Sequence, residues 1–156
     1  MGSVILIVIC VIVFIFIALS IFSRATGNKR TANMEEKYNN IFNPLMERVR
    51  EKNCMGDESL VVKIITDTED GVLAVRDDEK RICALAWKDD LLIFPFSDYK
   101  ECTINSDVGI IMNLKVGNEV YPISISSGKF KSTGIIGKQL YSMVIKMKNF
   151  LDEIID

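Results

Sequence analysis

The sequence predicts an α+β protein: an N-terminal transmembrane helix, an amphipathic stalk helix, then a seven-stranded antiparallel barrel closed by a C-terminal helix. Three observations predict it. Residues 4–22, VILIVICVIVFIFIALSIF, form a nearly unbroken apolar run that carries no charge. Short β-rich runs punctuated by turn residues fill 60–126, and apolar residues then recur every three or four positions to the end of the chain. The expected boundaries are 1–23 for the anchor, 24–59 for a juxtamembrane link and stalk, and 60–156 for one folded domain, a length sufficient for a core of its own.

Nineteen residues at ~1.5 Å each make a helix of about 28 Å, close to the ~30 Å hydrocarbon thickness of a bilayer. A cleaved signal peptide would begin with a basic residue, and none precedes Arg24; Ala18 and Ser20 form only a poor small-x-small pair. Leu6 stands where a myristoylation motif needs Ser or Thr. Arg24, Lys29 and Arg30 follow the run directly, so the positive-inside rule places the C-terminal domain in the cytoplasm of an inner membrane, with 4–22 contacting the lipid bilayer. Cys54, Cys83 and Cys102 are widely spaced and read as ordinary thiols of a reducing compartment.

Nineteen basic and 21 acidic residues leave a formal charge of −2, with no basic bias toward nucleic acid. There is no histidine, so the commonest general base and a common metal ligand are missing. An enzyme is not expected, nor a cofactor or metal site.

After the polar link 24–33, Asn33 is an expected helix N-cap with Glu35 and Glu36 in the first turn. Tyr38, Ile41, Phe42, Leu45, Met46 and Val49 form an apolar stripe at helical spacing. That stripe packs on the following domain, or serves as an assembly face toward another subunit, or, last in rank because its polar face mixes acids and bases, lies in the bilayer interface. Pro44 predicts a kink near Asn40 or two helices broken at Asn43. Residues 53–59 form the boundary loop.

The seven strands follow as LVVKIIT (60–66), VLAVR (72–76), RICALAW (81–87), LLIFPF (91–96), YKECTI (99–104), VGIIMNLKV (108–116) and EVYPISIS (119–126). Turn-forming DTEDG, DDEK, KDD, SD, NSD and GN separate them. Pro95 and Pro122 belong at edges, starts or bulges, because neither can donate to a ladder. Ser132 or Thr133 can cap a last helix whose stripe is Ile136, Leu140, Val144, Met147, Leu151 and Ile154. Laid over one end of a small barrel, it buries what the strands cannot.

Seven short antiparallel strands followed by one long amphipathic helix resemble a pleckstrin-homology-like (PH-like) domain over about residues 60–155. The segment LLIFPFSDYKECTI also resembles bacterial members of this class, in which an I-P-F/Y-S-D-I chain links two strands. Ile93, Pro95, Phe96, Ser97, Asp98 and Tyr99 take those places here, with Phe94 as an extra residue. The resemblance implies a phosphoinositide site on the first hairpin only where that hairpin is basic. Here it carries Asp67, Glu69 and Asp70, which repel a phosphate headgroup, so that ligand is not carried over. Protein recognition on a sheet edge or beside the C-terminal helix remains.

The loop SSGKFKSTGIIGKQ lacks the spacing of a phosphate loop: Ser132 stands where the earlier glycine belongs, and Gln139 where Ser or Thr binds magnesium. Lys129, Lys131 and Lys138 are nevertheless candidate anion or lipid contacts. The acidic hairpin tips do not reproduce a calcium loop. Trp87 reads first as core or rim packing. The expected function is a bacterial, single-pass, non-catalytic scaffold or adaptor that presents the domain to a protein partner or to further copies of itself. A pilin-like structural subunit is the alternative.

Overall fold

The computed structural model describes residues 31–127 and 134–155. Contacts divide the chain into two units, Met1–Asn40 and Ile41–Asp156, so the division falls inside the expected link and stalk. In the first unit the described residues 31–40 are helical and exposed. The helical residues 31–51 are labelled α1. Asn33 already lies within α1 and is not its cap, and the helical assignment runs through Pro44 without the expected break at Asn43. Pro44 is exposed, and the neighbouring apolar residues bury a stripe worth more than the ~3 kcal/mol that an interior proline costs. The helix ends at Asn53, whose φ of 60° places it in the left-handed region; Cys54 N–H reaches Val49 O and Asn53 N–H reaches Arg50 O, the paired bonds of a Schellman cap.

All seven expected strands form, as β1 (Leu60–Ile65), β2 (Gly71–Asp77), β3 (Ile82–Trp87), β4 (Asp90–Pro95), β5 (Tyr99–Asn105), β6 (Ile110–Val116) and β7 (Glu119–Ser126), followed by α2 (Ile135–Asp152). They do not close into a barrel. Each strand pairs antiparallel with its sequence neighbour to give a four-stranded sheet, β1-β2-β3-β4, and a three-stranded sheet, β5-β6-β7. Between β4 and β5 the chain turns through a 3₁₀ segment, Phe96–Asp98. At the other corner β1 and β7 meet through the turn that follows β1. Asp67 N–H donates to Ile125 O (3.1 Å), and the Asp67 carboxylate accepts from Ser126 Oγ (3.2 Å), Ser127 N–H (2.7 Å) and Ser127 Oγ (2.9 Å). One side-chain knot replaces a ladder there, and α2 fills the space between the sheets against β1, β5 and β7. Pro95 ends β4 and Pro122 sits in β7, both edge strands, as a missing donor requires.

The four-stranded sheet is covered on both faces. Val72, Ala74, Cys83 and Leu85 point into the core shared with the second sheet and α2, where they meet Met112, Leu114, Ile123, Val144, Met147 and Leu151. The alternate residues Leu73, Val75, Ala84 and Ala86 pack beneath α1, against Phe42, Leu45 and Val49. Small residues on that face let the helix approach closely. Gly71 marks the closest point: a Cβ placed there would lie 2.7 Å from Ile41 Cγ2 and 2.8 Å from Leu45 Cδ1. Arg48 secures the same helix to the β3–β4 turn, donating to Lys88 O at 2.7 Å.

Helix α2 buries Leu140, Val144, Met147, Phe150 and Leu151, with Ile154 just beyond it, whereas Ile136 is exposed. Its N-cap is Gly134; the expected caps Ser132 and Thr133 lie outside the described residues. Buried Arg76 of β2 locks its other end. The Nη1 atom donates to Phe150 O and to Glu153, both at 2.9 Å, Nε lies 2.8 Å from Asp78, and the guanidinium stacks 5.0 Å from the Phe150 ring centroid. A cation on the last carbonyls of a helix also opposes the negative end of its dipole.

Among the described residues no helix is long and apolar enough to cross a membrane. The anchor expected over 4–22 lies outside the described residues. The inner-membrane, single-pass assignment with a cytoplasmic domain is corrected accordingly, because both described helices are amphipathic and carry charged residues on their outer faces.

Candidate functional site

Among the described residues, three grooves on the Ile41–Asp156 unit stand out. The first runs between β5 and α2 and encloses about 450 Å³. Five consecutive residues of β5, Lys100 to Ile104, line it, together with Tyr141, Ile145, Lys148 and Asp152 of α2. Consecutive residues of a strand point to opposite faces, so a wall containing all five is the edge of the strand. Positions 141, 145, 148 and 152 are spaced by four, three and four, a single stripe along the helix. Among the described residues β5 pairs only with β6, which leaves its other side as an open edge there. Cys102 and half-buried Ile104 and Ile145 give the groove an apolar floor. Lys148 and Asp152 pair with each other, and Tyr99 Oη donates to Asp152 at 2.6 Å, fixing the end of the groove.

Among the described residues the thiols are not poised for chemistry. Burial pushes Cys83 and Cys102 up to about 12 and raises Cys54, so all three stay protonated at neutral pH. Burial, and then the hydrogen bond to Asp152, likewise raises Tyr99. Among the described residues no group of three or more metal-ligating side chains assembles.

A second groove, lined by Asp57, Glu58, Asp77, Asp78 and Glu79 with Lys80, is acidic. Asp77 is already committed there: the Lys80 backbone N–H (3.0 Å) holds its carboxyl below the usual range despite burial, and Lys80 Nζ lies 3.4 Å away. The third groove lies between the β2–β3 turn, the 3₁₀ segment and the end of α2.

The residues singled out in the sequence are distributed differently. Phe42, Leu45 and Val49 are buried on the four-stranded sheet and Ile41 and Met46 pack beside them, so this part of the stripe is occupied within the chain. Tyr38, in the first unit, is 39 % exposed. Lys138 is exposed in the first turn of α2, while Lys129 and Lys131 lie outside the described residues. Trp87 is half-buried against the main core. The β5 edge and the 141–152 stripe were not singled out by number, because an open edge depends on which strands fail to pair. A comparison with protein-family models, curated proteins and solved structures finds no match for the chain.

Proposed function

We propose that the Ile41–Asp156 unit is a non-catalytic protein-interaction module that takes an extended segment of a partner protein as an added strand along β5. The observation that carries this reading is the groove wall made of five consecutive β5 residues. Main-chain groups on an open edge supply affinity, and the apolar floor selects alternate side chains of the incoming strand. Lys100 and Lys148 are balanced by Glu101 and Asp152, so an apolar segment suits the groove better than a charged one. The protonated buried thiols favour binding over nucleophilic chemistry.

The test is to select binders for the full chain from a random peptide display library and to map them by amide chemical shifts. Shifts confined to 100–104 and the 141–152 stripe, with cross-strand contacts between peptide and β5, are expected. An Ile145→Asp variant should lose the peptide and keep its thermal midpoint. Shifts centred elsewhere, or an unaffected Ile145→Asp variant, would overturn the assignment.

A further inference from the structure

The three grooves differ in sign. The first is balanced and the second acidic, whereas among the described residues the third, of about 460 Å³, is lined by Lys80 and Arg81 without an acid, over a wall of Pro95, Phe96, Ile154 and Ile155. In a chain of net charge −2 this is a local excess of positive charge. Lys80 is engaged, 3.4 Å from Asp77 and donating to Asn53 O at 3.0 Å. Arg81 differs. Its guanidinium lies over the Phe96 ring, 5.3 Å from the centroid, and among the described residues no carboxylate is within ion-pair distance of it. A cation–π contact engages the guanidinium through its charge over the ring and uses none of its N–H donors as ion-pair partners, so they remain able to receive a carboxylate. Tyr99 also lines this groove, but its hydroxyl is committed to Asp152.

We propose that this groove receives the C-terminus of a partner polypeptide, with the α-carboxylate on the edge of Arg81 and an apolar last side chain against Phe96, Ile154 and Ile155. A chain terminus attaches its carboxylate and its side chain to one Cα. That is the compact way to present a negative charge and an apolar group together to a cation with an apolar wall beside it. An aspartate or glutamate within a chain would bring its own polar backbone against that wall instead, and an uncapped peptide group there has no partner to satisfy it. The groove adjoins the β5 edge and shares Ile155 with it, but Arg81 and Phe96 line this groove alone and nothing in the assignment uses the added strand.

The test uses the full chain and fluorescein-labelled hexapeptides with glycine-serine bodies that end in leucine, isoleucine, valine or phenylalanine, as free acids and as amides, read by anisotropy. At least one free acid should bind saturably and its amide at least about tenfold more weakly, the loss expected for one charge-assisted hydrogen-bonded contact. The matched variant is Arg81→Gly. Arg81 has a φ of 52°, which glycine adopts with less strain, so the fold keeps or gains stability while binding falls by the same factor. Equal binding of acid and amide, equal binding to the Arg81→Gly variant, or no saturable binding by any free acid at millimolar concentration would each overturn the proposal. So would an amidated peptide ending in aspartate that binds as well as the best free acid, because the recognised group would then be a side-chain carboxylate.

Discussion

Replacing Gly71 with Ala tests how α1 sits on the four-stranded sheet. The new methyl would lie 2.7 Å from Ile41 Cγ2, 2.8 Å from Leu45 Cδ1 and 3.1 Å from Phe42 Cε1. Comfortable carbon contacts are ~3.5–4.0 Å, so the first two are short by most of an ångström. Phe42 and Leu45 are only 1 % and 5 % exposed and have no open side toward which to move. Overpacking of this kind costs about 1–3 kcal/mol, while the stiffer unfolded chain returns about 0.4–1 kcal/mol, which leaves a net loss of about 1–2 kcal/mol. For a domain of this size that lowers the thermal midpoint by roughly 3–10 °C. Circular dichroism during urea and thermal unfolding measures it, and Ile41→Ala, which removes the nearest methyl, completes a double-mutant cycle. The coupling should recover about 1 kcal/mol in the double variant. A Gly71→Ala protein as stable as the parent, or effects that add to within about 0.5 kcal/mol, would refute the close helix approach.

Arg76→Ala should destabilise the protein by about 2–3 kcal/mol, since charged hydrogen bonds to Phe150 O and Glu153 are lost, and amide exchange should quicken first in the last turn of α2. Lys88→Gly should add roughly 0.5–1 kcal/mol of stability in urea titrations, because Lys88 holds a φ of 46° and its 3.7 Å contact with Asp70 is exposed. Stability should also fall at alkaline pH. Cys83, Cys102 and Tyr99 all titrate higher in the folded protein than in the unfolded chain, so they bind protons that the unfolded state has released; their contribution is complete below the ordinary thiol and phenol ranges and is lost as pH rises above them. Tyr99→Phe should flatten the decline above about pH 10 in urea midpoints, by removing one of the three groups.

Every strand was legible from its turn residues to within two or three positions, and Pro95 and Pro122 lie where a missing donor allows. Closure was not legible, because whether β1 meets β7 depends on partners such as Asp67 and Ser127, separated by 60 residues. The double coverage of the four-stranded sheet did leave a signal. VLAV and ICALA are apolar at successive positions instead of alternating, the mark of strands buried on both faces, and Phe42, Leu45 and Val49 offered the matching stripe. Pro44 obscured that match by suggesting a break that packing on the sheet overrides. The grooves left less trace: Arg81 and Phe96 are 15 positions apart, on a turn and a 3₁₀ segment that meet only in three dimensions.

Each sheet is built only from strands consecutive in sequence, and α1 lies directly before the first of them. Residues 41–95 and 99–126 can therefore form as two meanders through short loop closures, which are fast because little chain entropy is lost in each. The long-range ties, Arg76 to the end of α2 and Asp67 to Ser127, join halves that already have their pairing. Docking α2 and making those ties is the late and slow part of folding on this topology. Substitutions at Arg76 should thus speed unfolding far more than they slow folding, and they should loosen the end of α2, which also walls the basic groove.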